Sequence, residues 1–301
     1  MDKIYVIAGP TASGKTAAAI SLAKLIGGEI ISADSMQIYV GMDIGTAKPS
    51  ETERDNIPHH MIDIVKPDIP YSAALYQQQA RAVIKDVQTR GRVPILCGGT
   101  GFYINAVLRD VNFAQGNYES LGESDLLEKE GPAYLYKMLQ EVDPVAAEAI
   151  HPNNIKRITR ALSYNQETGK LFSQHNAAQK KQPNLYDAVF CCLNIERPLL
   201  YQRINDRVLT MFEAGLEEEV SRLLAEGYHP SLVSMQGIGY KEMIQYFLGN
   251  CSRNEVISVI QQNSRHYAKR QGTWFRHQNP HAINIHADGK KPEEIAWEIV
   301  S

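Results

Sequence analysis

Residues 4–26 read IYVIAGPTASGKTAAAISLAKLI. The stretch opens on a short continuous apolar run, Ile4 to Ala8, which Gly9 ends. Such a run suits a strand buried on both faces of a parallel sheet. Gly9 to Thr16, GPTASGKT, matches the spacing G-x-x-x-x-G-K-[ST]. Thr16 to Ile26 then has helix-forming composition, and Gly27-Gly28 closes it. The motif therefore lies between a strand and a helix, the context a phosphate loop requires. Its glycines let the backbone curl so that successive N–H groups point at phosphate oxygens. The helix beginning near Lys15 adds its positive dipole end. Lys15 supplies a mobile cation, and the Thr16 hydroxyl can ligate Mg²⁺. Gly9, Pro10, Thr11, Ala12, Ser13, Gly14, Lys15 and Thr16 are thus the candidate diphosphate-binding residues.

Outward from this loop, strand and helix patterns alternate. Glu29 to Ala33, Met61 to Val65 and Val93 to Cys97 read as strands, and Tyr71 to Arg90 as a long helix. The alternation predicts an α/β fold, a P-loop NTPase-like core with a parallel sheet and right-handed crossovers. Near residue 112 the pattern changes. Ala133 to Gln140, Val145 to Ile150 and Ile155 to Asn165 look helical and amphipathic, and no convincing strand appears from Asn112 to Asn184. Ala188 to Ile195 restores strand composition, followed by one long helix from about Leu199 to Ala225. The expected organisation is the first part of the core in residues 1–111, a helical insertion domain at 112–184, and core completion with C-terminal helices at 185–301.

The 301 residues are 44% hydrophobic and 22% charged, which excludes long disorder and collagen-like structure. The net charge of -3 announces no nucleic-acid binder, so any such surface must be local. The insertion has that locality. Glu119 to Glu148 holds eight acids against Lys129 and Lys137, whereas His151 to Lys181 holds six Lys/Arg against Glu167 alone. The four cysteines form no C-x-x-C pair, so a zinc ribbon is not indicated. No signal-peptide pattern and no 18-residue apolar run appear. The expectation is a cytoplasmic monomer with no membrane partner.

A nucleotide-hydrolysing enzyme would carry a second apolar strand ending in a metal-binding Asp. Val93 to Cys97 ends instead in Gly98-Gly99-Thr100, and Asp63 is the candidate substitute. Glu29 to Ala33 runs into Asp34-Ser35-Met36-Gln37. Ligands of such sheets bind at the carboxyl ends of strands, so Asp34 and the phosphate loop would share a crevice. A carboxylate beside phosphates is unfavourable without a metal or a proton to carry. Asp34 is a base, a ligand in the outer shell of Mg²⁺, or a cap of the following turn.

DSMQIYVGMDIGTAKP from Asp34, together with GPTASGKT, resembles the tRNA dimethylallyltransferases. PHHMIDI (Pro58 to Ile64), PILCGGTGFYINAVL (Pro94 to Leu108), HPNNIKRITRAL (His151 to Leu162), QGIGYKEM (Gln236 to Met243) and NSRHYAKRQGTWFR (Asn263 to Arg276) extend the resemblance over nearly the whole chain. It implies transfer of a dimethylallyl group from dimethylallyl diphosphate to the exocyclic amine of the adenosine 3′-adjacent to the anticodon. It further implies Asp34 as general base with Thr16 beside it, Lys15 on the leaving group, and Arg207 on the diphosphate. Asp34, Ser35, Met36, Gln37, Thr100, Lys156, Arg157, Arg160 and Lys241 are implied as contacts with the anticodon stem-loop. Segment 109–131 matches the family poorly, so the basic tRNA contact expected there has no assigned residue.

Lys156, Arg157 and Arg160 lie opposite an Ile155, Ile158 and Leu162 stripe, as a nucleic-acid contact or a plain solvated face. Arg203 and Arg207 likewise lie opposite Leu200, Ile204 and Val208, where the plain alternative is a surface ion pair. Tyr267, Trp274 and Phe275, interleaved with Arg265, His266, Lys269, Arg270, Arg276 and His277, are either base-stacking or core residues. Competing functions are a small-molecule kinase using ATP, an adenylate isopentenyltransferase, and a non-catalytic tRNA-binding module.

Overall fold

The computed structural model describes residues 3–111, 113, 131–180 and 182–301. The chain forms two compact units, Met1–Leu108 with Asn184–Ser301, and Arg109–Pro183.

The larger unit is built on six parallel strands: β1 Lys3–Ala8, β2 Gly28–Ser32, β3 His59–His60, β4 Val93–Gly98, β5 Asp187–Asn194 and β6 Ile283–His286, in the order β3-β2-β4-β1-β5-β6. Successive side chains of β1 enter opposite layers, as a period of two demands. Tyr5 and Ile7 join a core with helix α1 (Lys15–Ile26) and the C-terminal helix Pro292–Val300, while Ile4, Val6 and Ala8 join another. That second layer contains α3 (Ala73–Thr89), which follows the one-turn helix α2 (Glu51–Arg54), and α4 (Gly101–Leu108). Full burial of a side chain such as Ile7 or Leu22 stabilises by about 1.5–3 kcal/mol. Strand order reverses at β1, since the chain goes from it to β2, β3 and β4 on one side and to β5 and β6 on the other. Ligand crevices of open α/β sheets form at such a reversal.

Three sequence expectations change here. The strand expected at Met61 to Val65 is only His59–His60, because Met61 and Asp63 turn into positive φ. The single helix expected from Leu199 to Ala225 is two. Gly215 at φ 98° separates Arg197–Glu213 from Leu216–Ala225, a conformation costly for any residue with a Cβ. Strand β6 completes the unit and has no counterpart in the pattern read above, while a 26-residue helix, Arg253–Gln278, lies in the region read as C-terminal helices.

The smaller unit contains α5 (Pro132–Val142), α6 (Pro144–Ala149), α7 (Ile155–Thr168) and α8 (Phe172–Lys180). Ile158, Ala161, Leu162 and Tyr164 of α7 pack with Leu135, Leu139, Ile150 and Phe172. The buried Asp143 carboxylate accepts the Ala146 amide at 3.1 Å and the Ser173 amide at 2.8 Å, which ties the starts of α6 and α8 together. The helices after α8 are α9 (Arg197–Glu213), α10 (Leu216–Ala225), α11 (Tyr240–Phe247), α12 (Arg253–Gln278) and α13 (Pro292–Val300).

At the start of β2, buried Glu29 accepts hydrogen bonds from Arg90 and, at 2.7 Å, from His60. The Arg90 hydrogen bonds hold its carboxyl down to about 2, below the usual 4.5. A carboxyl depressed on folding adds stability that is complete above its unfolded value and is lost as pH falls through the folded one. The Tm should therefore drop between about pH 5 and pH 2 more steeply in the wild type than in Glu29→Gln. The difference should be modest, because Arg90 is 43% exposed and water screens the pair. Parallel melting curves across that window would show that the cluster adds nothing.

Candidate active site

The phosphate loop connects β1 to α1 at the strand-order reversal. Burial pulls Lys15 down to about 8, and the neighbouring Arg207 charge pushes the same way, while the Asp34 carboxylate opposes them. Lys15 Nζ donates to the Pro10 carbonyl at 2.6 Å. Arg207 donates to the Thr11 hydroxyl at 3.0 Å, and burial lowers its pKa too. The surface ion pair weighed for Arg207 is therefore not its role. Leu200, Ile204 and Val208 bury the other side of α9, and this aims Arg207 at the loop. Ser13 is buried, and its hydroxyl finds no partner among the described residues. The first amides of α1 have no intrahelical acceptor, as at any helix start. Two partly desolvated cations, an unsatisfied hydroxyl and these amides have the chemistry that anionic oxygens require.

Asp34 lies just past the end of β2. Its Oδ1 accepts the Met36 amide at 2.9 Å and the Gln37 amide at 3.4 Å, so it does cap the following turn. Its charge also acts on Lys15 and Arg207, raising the pKa of both, and on Tyr267. Thr100 Oγ1 accepts the Ser35 amide at 3.1 Å, which brings two expected acceptor contacts together. Gln37 is otherwise employed: its Oε1 accepts from Ser32 and its Nε2 donates to the Thr46 and Ala47 carbonyls. Met36 packs against Gly237 and the core around α10 and α11. Lys241 is exposed, 3.7 Å from the Glu242 carboxylate. Lys156, Arg157 and Arg160 are exposed on α7 in the other unit. The Arg160 charge lowers the pKa of His175 after burial does. The contact expected within 109–131 falls largely outside the described residues.

Asp63, the candidate metal-binding Asp, pairs with the nearly fully buried Lys48, which also holds Asp43 at 2.6 Å. That ion pair employs its carboxylate in loop structure. Among the described residues no group of three or more His, Cys, Asp or Glu could hold a metal by itself. Phe275 is core, and Trp274 is half-buried edge-on against it. Burial, with the Asp34 charge, pushes the Tyr267 phenol up to about 12, so it remains protonated. Beside these residues the exposed face of α12 carries a groove of about 460 Å³ lined by His266, Lys269, Arg270, Thr273 and Trp274.

Two residues that no local motif marks hold the site in place. Buried Glu219 accepts the Asp43, Ile44 and Gly45 amides at 2.8–3.0 Å and the Tyr240 hydroxyl at 2.7 Å, which fixes the loop after Asp34. Buried Gln271 accepts the Thr11 amide at 2.9 Å and donates to the Gly99 carbonyl at 3.0 Å. The sole signal for either in the sequence is a polar residue on an otherwise amphipathic helix.

The family model described as IPP transferase matches residues 37–278. The tRNA dimethylallyltransferase of Carboxydothermus hydrogenoformans is 47% identical, over 100% of this chain and 97% of its own length. The solved tRNA isopentenylpyrophosphate transferase of Bacillus halodurans is 40% identical with a TM-score of 0.75, covering 100% of this chain and 95% of its own. A solved eukaryotic dimethylallyltransferase acting on tRNA is 30% identical with a TM-score of 0.85, covering 96% of this chain and 75% of its own.

With Lys15 titrating near 8, pyrophosphate affinity should fall as pH rises from 7 to 9, because the cation is lost through that window. Lys15→Met should bind at least tenfold more weakly at pH 7 and lose most of this dependence. Calorimetric titration at several pH values checks both; equal affinities in the two proteins would remove Lys15 from the anion site.

Proposed function

The chain belongs to the IPP transferase family, and we propose that it transfers a dimethylallyl group from dimethylallyl diphosphate to the exocyclic amine of the adenosine 3′-adjacent to the anticodon of tRNA. The observation that carries this reading is Asp34 at the end of the second strand, its charge felt by the half-buried Lys15 and Arg207 and its neighbour Ser35 bonded to Thr100. A leaving anion on one side and a nucleophile that must shed a proton on the other is the demand that this arrangement meets.

In the reaction the bond from the prenyl carbon to the diphosphate oxygen breaks, and a carbon–nitrogen bond forms to the adenosine amine. Lys15, Arg207 and the amides of Ala12, Gly14 and Thr16 surround the departing oxygens and stabilise the charge that develops there, while the Pro10 carbonyl, which accepts from Lys15 and the Ser13 amide, and the Thr11 amide, which donates to Gln271, hold the curl of the loop from Gly9 onward. Asp34 takes the proton from the amine, an aromatic amine being a poor nucleophile until it is lost. The cap of the Met36 and Gln37 amides holds Oδ1 in a fixed orientation. The Thr16 hydroxyl on the exposed first turn of α1 suits Mg²⁺. With a sparse protein donor set, its other ligands would be substrate oxygens and water, as is usual for this ion. When bound, it supplies further neutralisation of the leaving group.

Ser35, Met36, Gln37, Thr100 and Lys241 surround the acceptor end in this reading, Gln37 and Met36 through the loop they support. The exposed Lys156, Arg157 and Arg160 of α7 take tRNA phosphates. Among the described residues no helix is long and apolar enough to cross a membrane. The proposed setting is a monomer in the cytoplasm. The deciding experiment offers radiolabelled dimethylallyl diphosphate with tRNA, AMP or no acceptor. Label in tRNA supports the reading, label in AMP makes the chain an adenylate isopentenyltransferase, and label in neither overturns prenyl transfer.

Asp34→Asn keeps the oxygen that caps the turn but cannot take the proton. Its single-turnover transfer rate should fall about 10²-fold or more, with Tm nearly unchanged and tRNA affinity within about twofold. A near-wild-type rate would leave Asp34 a turn cap. In the Lys156→Ala/Arg157→Ala/Arg160→Ala variant, the slope of log affinity for tRNA against log salt should flatten by about one unit per lost phosphate contact. An unchanged slope would make α7 a solvated face.

A further inference from the structure

Gln271 on α12 is 6% exposed, and both ends of its amide are engaged. Thr11, whose amide it accepts, is the residue whose hydroxyl receives Arg207. Gly99, whose carbonyl it contacts, precedes the Thr100 that receives Ser35. One planar group therefore spans the two halves of the site, the anion loop and the segment beside Asp34. The fit leaves no slack, since a Cβ at Gly99 would stand 2.2 Å from Gln271 Nε2. A carboxamide accepts through one end and donates through the other, and a neutral carboxylic acid is the nearest group that does both.

We infer that Gln271 is a positioning residue for the transfer reaction: acting through Thr11 and Gly99, it sets the spacing between the loop that holds the leaving group and the segment that presents the acceptor. The inference rests on the proposed transfer. Displacing reacting groups by about 1 Å can cost about 10²-fold in rate, so a spacer of this kind has leverage without touching either substrate.

The test uses the full chain and measures pyrophosphate affinity, tRNA affinity, single-turnover transfer from radiolabelled dimethylallyl diphosphate, and Tm. Gln271→Met removes both hydrogen bonds. It should lower the transfer rate about 10- to 100-fold and pyrophosphate affinity several-fold, with tRNA affinity within about twofold. Gln271→Glu is the stricter variant. Its ionised form cannot donate to the Gly99 carbonyl, while its neutral form restores the pair. Burial raises the pKa of a carboxyl, so its rate relative to wild type at the same pH should climb as pH falls from 9 to 6. A role confined to stability would lower Tm and leave that ratio flat. The inference is overturned if folded Gln271→Met transfers at the wild-type rate, or if the Gln271→Glu ratio does not change with pH. A wild type that binds pyrophosphate yet transfers nothing would instead overturn the proposed reaction, and undiminished pyrophosphate affinity in Gln271→Met would then sink the tie.

Discussion

The ends of β2 and β4 are pressed together more closely than any side chain would allow. A Cβ on Gly98 would lie 2.2 Å from the Ala33 carbonyl oxygen. Across this contact the Ala33 amide donates to the Cys97 carbonyl at 2.8 Å, and the Thr100 amide returns to the Ala33 carbonyl at 3.0 Å. The two strands thus remain zipped one residue beyond their regular ends. Asp34 and Ser35 leave one strand beside the Thr100 that leaves the other, and the side chain of Gln271 fits against the turn between them. Without the two glycines the strands would splay, and neither Asp34 nor Thr100 would face the anion loop.

The site is assembled at a cost in stability. Lys15 and Arg207 are both half-buried, and both are driven toward their neutral forms by desolvation. Buried charges without full compensation are destabilising. They sit beside an unsatisfied Ser13 hydroxyl in the same loop. Such local conflicts within an otherwise consistent fold are expected where a ligand completes the structure. Lys48 shows the contrast. Its side chain is 3% exposed, yet Asp43, Asp63 and the Tyr39 carbonyl surround it, so its burial serves the loop.

The smaller unit solves a different problem. Its four described helices pack around one apolar cluster, to which α8 adds only Phe172, and the Asp143 double cap ties α6 and α8 together. What remains on α7 is an exposed basic face on a chain of net charge -3. A local patch of this kind attracts a polyanion although the whole protein is slightly acidic.

The phosphate loop, the parallel sheet, the helical nature of the insertion and the polar face of α7 were all legible in the residues, because each is a local pattern: a glycine spacing, an apolar run, a period near 3.6. Asp34 was legible for the same reason, as the first acid after a buried strand, and the resemblance to the tRNA dimethylallyltransferases supplied its chemistry. The double helix at α9 and α10 was missed because a single glycine does not reveal its φ until the chain must turn. Glu219, Gln271 and the Lys48–Asp63 pair were beyond local reading altogether. Gln271 meets Thr11 across 260 residues and Glu219 meets Asp43 across 176. Which polar side chain satisfies which buried backbone group is decided only when the sheet and helices pack, since water satisfies both equally well until then. Periodicity and motif spacing determined the elements and the kind of chemistry; the desolvation of distant partners against one another decided the shape of the site.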